Sequence, residues 1–343
     1  MRAIAYSGQR LSRDPDCLLD VDQPVPQPGP MDLLVRVEAV SVNPVDTKVR
    51  RREQPTSDQW RVLGWDAAGT VEAVGSDVRA FQAGDPVWYA GALDRPGCNS
   101  EWHMVDQRLV ARRPISLAAA EAAALPLTGL TAWELLFDRL RLARRGQGSG
   151  PPRSLLVVGG AGGVGSVLVQ LVQHLTDFTL ISTASRPETR AWLRQLGVDH
   201  LIDHSQPMAP QVAALDLPPV SHAISLTHTA DHFSDLVELL EPQGALALID
   251  DPAPEAINVL ALKRKSLALH WELMFTRSLY QTPDMARQGE ILAELAALVD
   301  AGVLRSTIHS CCGEISAGAL RQVHQRLERG DCIGKLVLSG WPG

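Results

Sequence analysis

Apolar runs of strand length alternate with amphipathic stretches over the second half of the chain. The apolar run at residues 155–158 leads into a glycine-rich turn at 160–165, which reads GAGGVG. A longer apolar stretch with helical character follows at 166–174, and a second strand-like run occupies 178–183. The pattern therefore predicts a strand, a glycine turn, a helix and a second strand in direct succession.

The same alternation continues to about residue 271. Strand-like runs and helical stretches succeed each other with short polar connections. The further predicted strands are 199–202, 221–226, 245–249 and 267–271, and the predicted helices are 187–196 and 231–240. Six strands separated by helices predict a doubly wound parallel sheet of the α/β class.

The first 122 residues have a different hydrophobic pattern and composition. Short alternating runs are separated by many glycines and prolines, which indicates a mainly β domain built as a small barrel or sandwich. Strands are predicted at 33–40, at 69–74 and from residue 85 onward. The other predicted features are an alanine-rich helical segment from 117, a polar linker at 144–152, helices at 291–301 and 317–329, and a strand at 336–338.

The glycine turn matches the G-x-G-x-x-G fingerprint of dinucleotide-binding folds in the context that the fingerprint requires. Gly160 permits a tight turn, Gly162 lets the backbone approach a pyrophosphate, and Gly165 allows helix and strand to pack closely. Free N–H groups at the start of the helix would face the phosphates. An ordinary glycine-rich turn is the alternative. The predicted cofactor-binding residues of the turn are Gly160, Ala161, Gly162, Gly163, Val164 and Gly165.

The end of the second strand predicts which nicotinamide nucleotide binds. This segment reads STASR at 182–186, and no carboxylate follows until Glu188. A carboxylate here would repel a 2′-phosphate, whereas hydroxyls and a guanidinium would receive it. We therefore predict NADPH, contacted by Ser182, Ser185 and Arg186. In the alternative interpretation, Arg186 is a solvated loop residue and Ser185 caps the following helix; Ser185 could also do both.

Composition narrows the class of protein. The 343 residues suffice for two domains, and 45% hydrophobic with 21% charged residues is typical of a soluble chain. The net charge of −7 argues against a nucleic-acid or anionic-membrane partner. The basic run at 48–52 is interpreted as a solvated loop, with help in holding cofactor phosphate as the alternative. No apolar stretch reaches membrane-spanning length, and the N-terminal residues lack the apolar region of a signal peptide. Five cysteines, an odd number without a CxxC pair, argue against a disulfide framework and predict a reducing cytoplasm.

Six segments together resemble the medium-chain dehydrogenase/reductase superfamily, and within it the zinc-independent quinone oxidoreductase branch. Proteins of this kind are often labelled zinc-type alcohol dehydrogenase-like. The segments are SVNPVDT at 41–47, GWDAAGTV at 64–71, GDPV at 84–87, LPLTGLTA at 125–132, the glycine turn, and GKLVL at 334–338.

The resemblance implies a domain organisation. A GroES-like catalytic domain would comprise residues 1–122, a Rossmann domain 123–272, and the segment 273–343 would complete the catalytic domain. The active site would lie in the cleft between the domains. The resemblance also implies a homodimer that pairs through the last strand of the Rossmann sheet, at 267–271.

The chain departs from the zinc-dependent members at the expected ligands. Those relatives carry Cys where this chain has Asn43, and Gly-His-Glu where it has Gly64-Trp65-Asp66. Asn is a poor zinc ligand and Trp is none, although a catalytic zinc needs three protein ligands. The four-cysteine structural lobe is also missing, since 89–99 contains a single cysteine. His228 and His232 lie four residues apart without a third ligand in the sequence pattern. We therefore predict no metal.

Without a Lewis acid, a conjugated acceptor such as a quinone or an α,β-unsaturated carbonyl is the favoured substrate. The cofactor supplies hydride, and the developing oxyanion needs a donor. The resemblance places Asn43 near the nicotinamide, although Asn43 could instead bond backbone in the turn before Pro44. Lys48 could stabilise or protonate the oxyanion, or be solvated. The alternatives to such a reductase are a zinc-dependent alcohol dehydrogenase and a non-catalytic NADPH-binding sensor or structural protein.

The resemblance suggests further contacts. Thr128 would contact the nicotinamide amide, as would Thr131 unless it only caps or packs. His204 would lie near the adenosine, unless it is a plain surface residue. The candidates for an apolar substrate-pocket wall, each of which could equally be core, are Trp65, Tyr89, Trp102, Met274 and Phe275.

Overall fold

The computed structural model describes residues 1–8, 14, 16–53, 55–56, 59–148 and 150–343. The chain forms two compact units, one of Met1–Leu130 with Phe275–Gly343 and one of Thr131–Met274. The first unit thus contains both ends of the chain. Within the described ranges, no helix is both long and apolar enough to cross a membrane.

The secondary structure is mixed α/β. The strands are β1 (Arg2–Tyr6), β2 (Leu19–Asp22), β3 (Asp32–Val42), β4 (Arg61–Val62), β5 (Ala67–Val74), β6 (Pro86–Tyr89), β7 (Trp102–Asp106), β8 (Val110–Arg112), β9 (Ser154–Val158), β10 (Thr179–Thr183), β11 (His200–Ile202), β12 (Val220–Ser225), β13 (Ala245–Leu248), β14 (Ala268–Trp271), β15 (Ile308–Cys311) and β16 (Lys335–Ser339). The helices are α1 (Pro44–Arg52), α2 (Ala119–Ala123), α3 (Pro126–Trp133), α4 (Gly163–Leu175), α5 (Pro187–Gln195), α6 (Met208–Ala214), α7 (Thr229–Leu239), α8 (Thr276–Leu279), α9 (Arg287–Asp300) and α10 (Ala317–Glu328).

The main sheet of the first unit is built around β3. Its strand order is β15-β16-β3-β5-β6-β8, and β7 also pairs with β3. β3 pairs antiparallel with β5 on one side and with β16 on the other. Because β16 comes from the end of the chain, the C-terminal segment completes this sheet. The GroES-like fold and the strands predicted at 33–40 and 69–74 are confirmed.

The second unit contains a six-stranded parallel sheet in the order β11-β10-β9-β12-β13-β14. Apolar side chains on its strands, such as Leu156, Ile181 and Leu246, are fully buried against the helices. Burial on both faces explains why these strands read as continuous apolar runs in the sequence. The predicted Rossmann-type sheet is confirmed, with strand ends within two residues of the predicted bounds.

The basic run at 48–52 is not a loop, so that interpretation was wrong. It forms the last turns of α1, where Arg50 is fully buried and its guanidinium lies 2.6 Å from Glu328 of α10. The helix begins at Pro44, and the Asp46 carboxylate accepts the backbone N–H of Asn43 at 2.8 Å. Pro at the first helical position and a carboxylate in the first turn are helix-start signals. A role of this run in holding cofactor phosphate stays a prediction.

His324 of α10 gives a prediction about acid stability. It is fully buried beside Arg50, and neither ring nitrogen has a hydrogen-bond partner among the described residues. Burial, and then Arg50, lower the pKa of His324 to about 3. Since the unfolded chain takes up this proton near pH 6.5, His324 destabilises the fold progressively as pH falls from 6.5 towards 3.

We expect the His324→Leu variant to be at least as stable as the wild type at pH 7, because an unpartnered polar group is removed. At pH 5 the variant should exceed the wild type by about 2 kcal/mol more than at pH 7. Urea unfolding at both pH values measures this difference. Identical acid dependence in the two proteins would contradict the assignment.

Candidate cofactor and active site

The glycine turn lies at the carboxyl end of β9 and opens α4. Gly159 has φ +85°, and its backbone N–H donates to Thr183 Oγ1 of β10 at 3.3 Å. Gly162 occupies the N-cap position of α4. The first N–H groups of α4 therefore follow directly on the turn, at the edge where nucleotides bind in parallel α/β sheets.

The three fingerprint glycines differ in what a side chain would meet. A Cβ on Gly160 would overlap the hydroxyl of Ser182. A Cβ on Gly165 would lie 2.5 Å from the Gly159 carbonyl oxygen. A Cβ on Gly162 would meet no described atom closer than the Gly159 carbonyl oxygen, at 3.6 Å. The fold thus requires the first and third glycines, whereas a side chain at the second would make only an ordinary contact beside the helix start.

The residues predicted to contact the ribose separate into two groups. Ser182 is fully buried beneath the turn, facing Gly160 and the Val157 carbonyl oxygen. Ser185 and His204 follow the ends of the neighbouring strands β10 and β11, where Ser185 Oγ lies 3.3 Å from His204 Nε2. Arg186 is half-buried in the next position. The structure therefore brings Ser185, Arg186 and His204 together at one edge of the sheet.

Ser185 does not cap α5, so that alternative was wrong. The N-cap residue of α5 is Arg186, whose carbonyl oxygen accepts from Arg190 N and Thr189 Oγ1. The Ser185 hydroxyl lies one residue too early and faces His204 instead. Both side chains at 185 and 186 remain predicted contacts of the cofactor.

The predicted nicotinamide and pocket residues are mostly buried. Thr128 is 2% exposed, and its hydroxyl lies 3.3 and 3.2 Å from the carbonyl oxygens of Ala124 and Leu125, which directly precede α3. Trp102 is half-buried, and Thr131 is buried. The predicted pocket-wall residues that are buried are Trp65, Tyr89, Met274 and Phe275. Their contact with a ligand stays a prediction.

Two of the aromatic side chains have internal partners. Trp65 donates its indole N–H to the Ala92 carbonyl oxygen at 3.0 Å and packs edge-on against Phe275, with ring centroids 6.3 Å apart. The Tyr89 hydroxyl lies 3.0 Å from His103 Nδ1. These contacts fix the orientation of both rings.

Asn43 lies in a buried polar network of the first unit. Its side-chain N–H groups donate to Asp66 Oδ2 at 2.8 Å and to the Ser41 carbonyl oxygen at 3.4 Å. Its Oδ1 accepts from Lys335 Nζ. Both amide hydrogens thus have protein acceptors. The predicted donation to a substrate oxygen would require one of these bonds to break.

Lys335 is the residue of this network that the sequence reading missed. Its side chain is 3% exposed, and its three ammonium hydrogens have three acceptors: Asn43 Oδ1, Asp66 Oδ2 at 3.0 Å and the Val42 carbonyl oxygen at 3.1 Å. The Leu127 backbone N–H donates to the other Asp66 oxygen at 2.8 Å. The motif GKLVL at 334–338 contained the residue, but nothing in its spacing pointed to Asn43.

These residues do not fit a zinc ion. Asn43 and Asp66, which replace the Cys and the Glu of the zinc-dependent pattern, both contact the ammonium of Lys335. Trp65, which replaces the His of that pattern, offers no metal-binding lone pair and donates its indole N–H to backbone. A fixed cation therefore already lies among the oxygen atoms that a metal would need. No group of three metal-binding side chains occurs in the described part of the chain.

Two carboxyl groups of the network have shifted pKa values. Burial raises the pKa of Asp46 to about 7, and its Oδ1 has no hydrogen-bond partner in the described ranges. Burial also raises the pKa of Asp66, but Lys335, Leu127 and Asn43 oppose this effect by donating to the carboxylate. Asp66 thus has donors on both carboxylate oxygens, whereas Asp46 has an unpartnered oxygen.

The Asp46→Asn variant tests this assignment. The folded-state pKa of Asp46 lies above its unfolded value near 3.9, so its stabilising contribution is present below pH 3.9 and is lost as pH rises through about 7. We expect the variant to lack this loss and to gain up to about 4 kcal/mol over the wild type between pH 4 and pH 8. Urea unfolding across this range provides the measurement, and parallel pH profiles would contradict the assignment.

Lys48 lies on α1 and is half-buried, one residue after Thr47, whose hydroxyl bonds to the Pro44 carbonyl oxygen. Its predicted contact with substrate stays a prediction.

Comparison with known families gives two matches. Residues 29–117 match the model described as alcohol dehydrogenase GroES-like domain. Residues 196–338 match the model described as zinc-binding dehydrogenase.

Among curated proteins, a zinc-type alcohol dehydrogenase-like protein, SAS2087 of Staphylococcus aureus (strain MSSA476), is 38% identical over 318 residues, 93% of each chain. The 2-methylene-furan-3-one reductase of Solanum lycopersicum is 37% identical over 196 residues, 55% of this chain and 48% of its own length.

Two solved structures extend the comparison. A Rhizobium etli CFN 42 protein described as a zinc-dependent alcohol dehydrogenase has TM-score 0.95 and 48% identity, covering 100% of this chain and 99% of its own. Mycobacterial Rv1454c, solved with NADPH, has TM-score 0.81 and 30% identity, covering 99% and 100%. The resemblance inferred from the six sequence segments is confirmed: the chain belongs to the medium-chain dehydrogenase/reductase superfamily of oxidoreductases.

Proposed function

We propose that the protein is an NADPH-dependent reductase of quinones or activated α,β-unsaturated carbonyls that works without a metal, as in the zinc-independent branch of the superfamily. The observation that carries this proposal is the position of Gly162 at the N-cap of α4, where a Cβ would contact no described atom within 4 Å except the Gly159 carbonyl oxygen, at 3.6 Å. The N–H groups of the turn at 160–165 would hold the pyrophosphate. A bound nicotinamide would supply hydride to the acceptor.

The choice of NADPH rests on the end of β10. Ser185 and Arg186 are half-buried there beside His204, and the first acidic residue after the strand is Glu188, already inside α5. A guanidinium and a hydroxyl suit a 2′-phosphate, whereas an NAD site relies on a carboxylate. The mycobacterial relative solved with NADPH supports the same choice.

The choice of acceptor rests on the network around Asn43. Lys335 supplies a fixed positive charge whose three hydrogens are already bonded, so its ammonium has no hydrogen left to donate to an unactivated carbonyl. A conjugated acceptor needs less polarisation, because the charge that develops on it is delocalised. Asn43 and Lys48 remain our candidates for contact with the substrate oxygen. The resemblance to an enone-type reductase of tomato agrees with this class of acceptor.

Steady-state oxidation of NADPH tests the proposal. Purified protein is assayed with a panel of quinones and enals in the presence of a strong chelator. We expect turnover with at least one conjugated acceptor and none with simple ketones. No rate above background with any acceptor would favour a binding role, and turnover that needs added zinc would favour an alcohol dehydrogenase.

We also propose a homodimer that pairs through β14. This strand pairs with β13 on one side, and no described strand covers its other edge. Trp271 and Leu273 at its end are 52% and 50% exposed, and a bare apolar sheet edge favours pairing with another chain.

We expect light scattering of the purified protein to give the mass of two chains, and Trp271→Lys to shift it towards one chain. The matched control, Ile115→Lys, changes a 92% exposed apolar residue of the first unit and should leave the mass unchanged. A monomeric wild type would refute the dimer.

A further inference from the structure

Three histidines lie at the carboxyl edge of the parallel sheet, where His228, His232 and Arg186 all act on His204. His204 follows β11, and His228 and His232 lie at the start of α7. The rings of His204 and His232 meet edge-on, with centroids 5.5 Å apart. We call His204, His228 and His232 the imidazole cluster.

His204 is the central member of the cluster. Its Nε2 lies 3.3 Å from Ser185 Oγ, and its Nδ1 is buried with no hydrogen-bond partner in the described ranges. Because Nε2 is the nitrogen that faces Ser185, a ligand bound at Ser185 would contact His204 through Nε2.

The charged groups around the cluster come from three elements. Arg186, at the start of α5, and the two imidazoles of α7 disfavour a proton on His204, whereas Asp203 favours one. Asp231 and Asp235 favour a proton on His232, as Asp203 favours one on His204. Burial is the largest cause and lowers the pKa of His204, followed by His232. With no anion present, His204 is therefore held neutral near pH 7.

We propose that the imidazole cluster, together with Arg186, binds the 2′-phosphate of the nucleotide and takes up a proton from solvent as it does so. This proposal rests on the proposed function and adds a pH-dependent element to its cofactor preference. A dianion placed beside Ser185 reverses the local field, because it attracts the proton that Arg186 and His232 repel. NADH lacks this phosphate, so its binding leaves His204 neutral.

The consequence is a preference for NADPH over NADH that grows as pH falls. The second ionisation of a phosphate group, with a pKa near 6, acts in the opposite direction below that pH. A variant without the His204 imidazole keeps this ligand effect and loses only the contribution of the protein. The comparison between variant and wild type therefore isolates the histidine.

Isothermal titration calorimetry tests the proposal. NADPH and NADH are titrated at pH 7 in two buffers of different ionisation enthalpy, which gives the number of protons taken up on binding. The variants are His204→Asn and the matched control His200→Asn, whose histidine begins the same strand β11 and is likewise half-buried. Thermal melting verifies that both variants are folded.

We expect the wild type and His200→Asn to take up a measurable fraction of a proton with NADPH and close to none with NADH. In His204→Asn, the uptake with NADPH should vanish, and the affinity for NADPH should fall several-fold more than the affinity for NADH. Equal proton uptake in His204→Asn and wild type would overturn the proposal while leaving the proposed function intact. If wild type binds neither nucleotide, the proposed function fails, and this inference fails with it.

Discussion

Replacing Gly162 by aspartate is expected to weaken NADPH binding by at least about 100-fold, or about 2.7 kcal/mol, and to leave the melting temperature unchanged or slightly raised. A Cβ at this position would make only an ordinary contact, with the Gly159 carbonyl oxygen at 3.6 Å, and Asp is a favoured N-cap residue. The fold therefore tolerates the change. The new carboxylate, however, would stand where the pyrophosphate approaches the start of α4 and would repel it. Calorimetry with NADPH, together with thermal melting, measures both effects.

Gly165→Ala is the comparison variant, and it is expected to lower the stability of the fold. Its added methyl group would lie 2.5 Å from the Gly159 carbonyl oxygen, so helix α4 must shift away from the turn. We expect a loss of about 1–3 kcal/mol in the free energy of unfolding, as for an overpacked core site. If Gly162→Asp binds NADPH like the wild type, the nucleotide does not lie over this turn, and the cofactor assignment is wrong.

Replacing Lys335 by methionine is expected to lower the free energy of unfolding by about 3–5 kcal/mol, the range observed when one partner of a buried ion pair is removed. The Asp66 carboxylate, which is fully buried, would keep the Leu127 and Asn43 donors and lose its counter-charge. Urea unfolding at pH 7 measures the loss. We expect this variant to have the lowest free energy of unfolding of all the single variants proposed for the first unit.

The double variant Asp66→Asn with Lys335→Met provides the control, because it removes both charges together. Replacing a buried ion pair by neutral groups is far less costly than removing one partner. We therefore expect the double variant to recover much of the loss. If the two substitutions are instead additive, Lys335 and Asp66 do not act as a pair, and the network contributes through packing alone.

The parts of the fold that were predictable from sequence are those with a long regular pattern. The central strands of the Rossmann sheet, such as β9, β12 and β13, read as apolar runs because they are buried. Strands β2 and β15 have four residues each and are largely exposed, so no apolar run marks them. Helix α1 was missed because its start signals lie inside a motif that was interpreted as a turn, and because its polar end, including the buried Arg50, resembles a solvated loop.

The site was predictable to a smaller extent. The glycine turn could be located because its chemistry depends on local sequence. Lys335 could not be connected with Asn43, from which it is separated by 292 positions, because the contact depends on the pairing of β16 with β3. The contact between Ser185 and His204 likewise depends on the parallel pairing of β10 with β11. Such contacts follow from the order of strands in a sheet, which a single sequence leaves open.

The most direct test of the account compares the affinities of the wild-type protein for NADPH and NADH by calorimetry at pH 7. If Arg186 and Ser185 receive a 2′-phosphate, NADPH should bind at least about 10-fold more tightly, and Arg186→Ala should remove most of that difference without changing the affinity for NADH. Equal affinities, or tighter binding of NADH, would contradict the account.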